Sequence, residues 1–223
     1  MPTEKSPEGP RGYAKGRRKR EQIIESATAM FGEVGYNSAS LREISARVGI
    51  SHPGLLHHFP TKADLLAAVL QHRDEADNEL LQADLEGGYD FFQALVRLVE
   101  RNQQRPGIVE LYSSLSAEAT SPGHPAHEYF QNRYDMTITA MRTEIESRIT
   151  AGEMPAATDP DSTARAVVAL MDGLQIQWLL GRDAQGPRVD MAQVLLDHLR
   201  LVARIDMTVA VPAPASDAAP ARA

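Results

Sequence analysis

Residues 40–62 read SLREISARVGISHPGLLHHFPTK, and a glycine in the middle of that run decides what it can become. Leu41, Ile44 and Val48 recur at helical spacing up to Gly49, after which Ile50, Leu55 and Phe59 resume the apolar pattern. Two short helices about one tight turn satisfy this spacing, because glycine adopts the backbone of such a turn without the steric cost of a Cβ. Ser45, four residues before Gly49, is small, as a close crossing of two helices requires.

The boundaries carry their own signals. Ser40 and Glu43 stand as an S-x-x-E capping box, predicting that the first helix starts at Leu41. Ser51 is placed to cap the second helix, and Pro53 falls in its first turn, where a missing N–H costs no hydrogen bond. Thr61 and Asp64 repeat the capping pattern for a third helix after Pro60. A helix-turn-helix of this form lays its second helix in the DNA major groove while the first crosses the backbone. The reading segment is then Ser51 to His58, with Ser51, His52, Pro53, Gly54 and His57 on or near its exposed face and Leu55 and Phe59 inward. His52 or His57 is the expected contact to base edges.

The same run resembles the TetR-type (tetracycline-repressor-like) bacterial transcriptional regulators, whose pattern has the form T/S-x-x-x-I-A-x-x-A/V-G-V/I-S-x-x-x-L-Y-x-H/Y-F-x-x-K-x-x-L. Ser40, Ile44, Ser45, Val48, Gly49, Ile50, Ser51, Leu55, His58, Phe59, Lys62 and Leu65 stand at the corresponding places. The resemblance is specific over residues 17–66 and architectural beyond them. It implies an all-α chain, with an N-terminal three-helix helix-turn-helix domain followed by a C-terminal helical dimerisation and effector domain. It further implies a homodimeric regulator, a repressor released from a palindromic operator by a small-molecule effector. A constitutive DNA-binding regulator or architectural protein, whose second domain serves dimerisation alone, is the alternative.

In the family's arrangement the Lys62 cation and the positive end of its helix both point at phosphate. Arg42 is a second candidate for backbone contact, and Ser40 could share its cap with a phosphate oxygen. One residue departs from the pattern: the tyrosine usual before x-H-F is Leu56, so that hydroxyl's phosphate contact is missing, with His57 or His58 as candidate replacement.

The net charge of -7 looks wrong for a DNA binder until it is divided along the chain. Residues 1–62 hold 10 Lys/Arg against 6 Asp/Glu, and residues 63–223 hold 13 against 24. Clustered cations bind phosphate through counterion release, so local charge decides. Six of the ten residues from Arg11 to Arg20 are basic, and Arg17 among them is assigned to phosphate or minor-groove contact. There is no cysteine, which excludes disulfides and thiolate chemistry. No apolar run approaches a membrane span, and the opening residues lack the core of a signal peptide, so the expected setting is the cytoplasm with no membrane partner.

Composition divides the chain into a disordered basic arm over 1–16, the helix-turn-helix domain over 17–62, a helical domain over 63–206 and a disordered Ala/Pro/Val tail over 207–223. A first helix from Arg17 to Val34 is ended by Gly35, and a long helix follows Lys62. Its acidic run Asp74, Glu75, Asp77 and Glu79 reads as a solvated face. Two helices near the end, 161–180 and 189–205, are apolar around most of their circumference, which calls for a second surface such as a symmetric partner.

An effector pocket is expected where polar groups interrupt apolar faces, near Asn102, Tyr112, Tyr134, Asp172, Gln175 and Trp178. A metal site is not expected: adjacent His57 and His58 point about 100 degrees apart on a helix, and His124 and His127 sit at a helix start with a structural role available. No cofactor is expected either, since no phosphate-binding loop, G-x-S-x-G elbow or dinucleotide fingerprint occurs. Nothing in the pattern asks for catalysis.

Overall fold

Helix α1 spans Pro10–Ser38 and buries Ile23, Ile24, Ala27, Met30 and Phe31 along one stripe. In this computed structural model residues 10–183 and 186–203 are described, and residues 1–9 of the expected arm and the expected tail lie outside them. The helix begins at Pro10, so residues 10–16, expected within the arm, are helical instead. Extending a formed helix adds a hydrogen bond per residue without a new nucleus, and proline at the first position gives up no bond. Gly35, with φ 75 and ψ 168, breaks the helical path and bends the last residues away.

The helix-turn-helix follows as α2, Leu41–Val48, and α3, His52–His58, and the chain then enters α4, Lys62–Glu86. Gly49 between α2 and α3 has φ 71, while a Cβ there would meet nothing within 4 Å. Backbone conformation rather than space requires the glycine. Ser51 caps α3 by accepting the Gly54 N–H at 3.1 Å, and Thr61 and Asp64 form the reciprocal box at the start of α4.

The first of the expected caps is different. Ser40 is the N-cap residue of α2 but makes no side-chain cap hydrogen bond. Glu43 does not turn back to it; its carboxylate faces Arg47 at 3.4 Å, and Arg47 also holds Glu33 of α1 at 3.0 Å. A bridging arginine that ties two helices together outcompetes the local box.

Then come α5, Phe91–Gln103; α6, Pro106–Glu118; α7, His127–Thr150; α8, Pro160–Leu180; and, after a 3-10 turn, α9, Met191–Ala203. All regular elements among the described residues are helical. One apolar core joins α1–α3 to the first half of α4, to α6 and to the start of α7, through Ile44, Leu55, Leu65, Leu111, Leu115 and Phe130. A second core packs α5, α8, α9 and the later part of α7 around Phe92, Ile145, Val167 and Leu195. The three N-terminal helices therefore share a hydrophobic interior with α6. At Gly32 a Cβ would come within 3.2 Å of the Leu111 backbone nitrogen and 3.3 Å of the Gly107 carbonyl, so α1 and α6 cross almost backbone to backbone.

The acidic run on α4 is not a uniformly solvated face. Asp77 is buried between Arg73, at 3.0 Å, and Arg105, at 2.9 Å, and Asp74 faces Arg133 of α7 at 2.6 Å. Carboxylates enter an interior only when paired, and the guanidiniums that pair these come from α4 itself, from Arg105 just before α6 and from Arg133 on α7.

Candidate DNA-reading helix and buried cavity

The reading helix is anchored by Leu55, which is fully buried, and by Phe59 just beyond it. Ser51, Pro53 and His57 are left exposed, with His52 and Gly54 half-buried beside them. A Cβ on Gly54 would press on the Ser51 Oγ at 3.1 Å, so the glycine protects the cap. The rings of His57 and His58 meet edge to face at 5.9 Å. Burial first, then His57, Arg20 and Lys19, hold the His58 imidazole below the ordinary histidine range. The basic segment of α1 thus lies beside the end of the reading helix, where Arg20 also stacks on Phe59 at 4.9 Å. Arg17 is exposed and 3.8 Å from Glu21. Arg42 is exposed, and Ser40 and Leu56 are half-buried.

Lys62 has a more specific setting than the sequence indicates. Its Nζ donates to the Asn37 carbonyl at 3.1 Å and lies over the Tyr36 ring at 4.5 Å, and burial lowers its pKa. Around the same bend, the Glu118 carboxylate at the end of α6 accepts the Tyr36 N–H at 3.2 Å and the Asn37 side-chain amide at 3.4 Å. His124 Nε2 faces that carboxylate at 3.4 Å, and its Nδ1 accepts the Ala126 N–H at 3.2 Å. His127 Nδ1 lies 2.7 Å from the Ala119 carbonyl. The two histidines are engaged in the loop between α6 and α7. The residues Tyr36, Asn37, Lys62, Glu118 and His124 form a junction that joins α6 to the bend of α1 and the N-terminus of α4.

A cavity of about 380 Å³ lies among α4–α9. Asn102, Tyr112, Tyr134, Asp172 and Gln175 line it together. Trp178 does not line it: the indole is buried elsewhere, with the Arg188 guanidinium 3.2 Å from its ring centre and its carbonyl accepting Arg188 Nε at 2.7 Å. Trp178 shares the face of α8 that carries Leu174 and Gln175 but lies about one turn further along, where the Arg188 guanidinium covers its ring, a contact no local pattern announces.

Sequence reasoning also missed the polar wall contributed by Arg73, Asp74, Tyr129 and Arg133. Arg133 donates to the Tyr112 hydroxyl at 2.5 Å and to Asp74 at 2.6 Å, and the Tyr129 hydroxyl donates to Asp74 at 2.7 Å. The Tyr134 hydroxyl donates to Asp172 at 2.8 Å. Burial, reinforced by these bonds to carboxylates, raises the phenols of Tyr129 and Tyr134 far above the ordinary range. Burial likewise raises the carboxyl of Asp172. In the sequence Asp74 shows only as part of the acidic run of α4, and Tyr129 and Tyr134 share a spacing on α7 that reads equally well as core. Among the described residues no helix is long and apolar enough to cross a membrane.

Comparisons with known proteins agree with this geometry. The family model for bacterial regulatory proteins of the tetR family matches residues 23–69, and that for the C-terminal part of BetI-type transcriptional repressors matches residues 91–204. The chain is 29% identical to the HTH-type transcriptional repressor Rv3405c of Mycobacterium tuberculosis, over 80% of this chain and 81% of that one. It is 24% identical to the HTH-type transcriptional regulator TtgR of Pseudomonas putida, over 82% and 91%. A transcriptional regulator from Saccharomonospora viridis, solved in complex with choline, superposes with a TM-score of 0.69 at 27% identity, covering 82% of this chain and 96% of its own. A TetR regulator from Chloroflexus aurantiacus, at 22% identity and a TM-score of 0.70, shares the fold. The chain belongs to the TetR family of bacterial regulatory proteins, and is a DNA-binding transcriptional regulator with a helix-turn-helix domain rather than an enzyme.

Proposed function

We propose that the protein is a homodimeric repressor that holds a palindromic operator and leaves it when a small molecule occupies the cavity. The observation that carries this reading is shared construction. Helix α4 lines the cavity with Arg73, Asp74 and Asp77 and places Lys62 at its start. Helix α6 lines it with Tyr112 and ends in the Glu118 junction on α1. An effector that prefers one arrangement of these two helices shifts the reading helices with it, by as much as its affinities for the two states differ.

Pairing is supported by an apolar face left open on α8 and α9. Ile176, Leu180 and Leu201 are 52%, 78% and 75% exposed, and Ala166 and Ala169 continue the stripe on α8. A face of this kind on two adjacent helices fits a two-fold partner. Two reading helices then meet half-sites one helical turn or a multiple of it apart. For DNA contacts, Ser51, His52, Pro53, Gly54 and His57 are assigned to the groove, and Arg17, Ser40, Arg42, His58 and Lys62 to phosphate. Lys62 gives one of its three donors to Asn37, leaving two for a phosphate oxygen. Such a regulator works on the chromosome, in the cytoplasm. The choline held by the Saccharomonospora regulator and the repressor named among the relatives point the same way.

The test is footprinting on the DNA upstream of the protein's own gene, followed by affinity measurements with and without metabolite fractions that raise its melting temperature. The expected result is a symmetric footprint from a dimer, weakened by a stabilising fraction, since a ligand of the native state raises melting temperature by mass action. A stabilising fraction that leaves DNA affinity unchanged would return the protein to a constitutive regulator.

A further inference from the structure

The charges in the cavity wall are not evenly satisfied. Asp74 is held by Arg73 and Arg133, and Asp77 by Arg73 and Arg105. Asp172, in the middle of α8, has no cation within ion-pair distance among the described residues. Its Oδ2 accepts the Tyr134 hydroxyl, and its Oδ1 has no partner there. Arg133, the nearest positive charge that acts on it, is turned to Asp74 and Tyr112. Besides the polar groups already named, the cavity wall carries an apolar share from Leu95, Val99, Met141, Val168, Met171 and Leu174.

Resting on the effector-responsive reading above, we propose that the cavity takes a protonated amine with an apolar body, whose ammonium donates to Asp172. A carboxylate withdrawn from water with no cation paired to it is stabilised most by a charge-assisted donor. Burial pushes the Asp172 carboxyl above its ordinary range, so its ionised form is disfavoured there unless a cation accompanies it. Among the aromatic rings of the wall, that of Tyr112 is already covered by the guanidiniums of Arg73 at 4.4 Å and Arg133 at 5.1 Å, so the carboxylate is the more available anchor for a cation. The N–H donors of the ligand are therefore part of the assignment, and so is the apolar body that fills the space beyond them.

Four probes with one hydrocarbon body separate these features: phenylbutylamine, its N-trimethylated analogue, phenylbutanol and phenylbutyrate. Thermal stability and calorimetric titration of the full chain are the readouts. Phenylbutylamine is expected to bind about tenfold or more tightly than the alcohol, the usual scale of a charge-assisted hydrogen bond. The trimethylated cation is expected to fall between them, and the carboxylate to bind worst. Asp172→Asn keeps an acceptor for Tyr134 and lowers the amine to the affinity of the alcohol, while retained alcohol binding reports an intact pocket. Tyr134→Phe keeps the charge and keeps the amine preference. Equal or better binding of the alcohol or the carboxylate, or an amine preference that survives Asp172→Asn, overturns the assignment. A trimethylated analogue that matches the amine overturns the N–H requirement. If none of the four binds, the amine assignment falls alone, because the footprint and metabolite-fraction experiment decides separately whether the protein responds to a ligand.

Discussion

The Glu118 carboxylate accepts the backbone N–H of Tyr36 at 3.2 Å, across 82 residues of chain. Tyr36 follows the bend of α1, and Glu118 ends the helix whose Tyr112 lines the cavity six residues earlier, about 9 Å along a helix. Glu118→Ala leaves the Tyr36 N–H and the Asn37 amide without this acceptor. The expected cost is about 1–3 kcal/mol in denaturant unfolding, together with a weaker dependence of operator affinity on any ligand that fills the cavity. Glu118→Gln, which retains an acceptor, is expected to lose less. Equal stability of all three proteins would show that the contact joins nothing of consequence.

Gly35 and Gly49 both hold positive φ, but only one of them is crowded. A Cβ at Gly35 would collide with the Glu118 carboxylate, whereas at Gly49 it meets nothing within 4 Å. Gly49→Ala is expected to cost about 1–2 kcal/mol from backbone strain alone, and Gly35→Ala more. Combining Gly35→Ala with Glu118→Ala should cost less than the sum of the single changes, since the second removes the group the first strikes. Melting curves of the four variants check the order.

Asp84 gives the pH dependence a definite sign. Burial alone raises its carboxyl, but hydrogen bonds and charge from Arg101, at 2.6 Å, and Arg97, at 2.9 Å, outweigh it and hold the group below the ordinary range. A depressed acid contributes stability that is fully present above its unfolded pKa of about 3.9 and is lost as pH falls through the folded value. Asp84→Asn is therefore expected to be less stable than the parent at neutral pH. The gap should narrow once the pH drops below about 4, as read by urea unfolding across a pH series. A gap that stays constant into strong acid would remove Asp84 from the account.

Leu180 and Leu201 are more than 70% exposed on one protomer, so a charge at either should spare the monomer fold. Leu180→Glu and Leu201→Glu are expected to halve the mass seen by light scattering. Operator affinity should fall by at least about tenfold, because the second half-site is no longer bound intramolecularly. Dimers that survive both changes would move the pairing surface elsewhere.

The reading helix was legible because its signals are local. Gly49 needs only its own φ, Ser51 caps a nitrogen three residues away, and Leu55 and Phe59 announce the buried side by spacing. The same local logic placed the start of α4 after Thr61, and five of the six residues singled out where polar groups break an apolar stripe do line one cavity. It misled where a partner from elsewhere in the chain competes. Arg47 drew Glu43 away from Ser40 by also holding Glu33, and Arg188 covered Trp178 about one turn of α8 beyond Gln175.

What the amino-acid order by itself determined is the pair α2 and α3, the turn that presents α3 and the start of α4, since a glycine conformation and caps within a few residues fix those. Only the tertiary structure decided which charges meet. Arg133 reaches Asp74 over 59 residues and Glu118 reaches Tyr36 over 82, and an ion pair or buried N–H is satisfied by whatever the packing of helices brings within about 3 Å, whatever its distance along the chain.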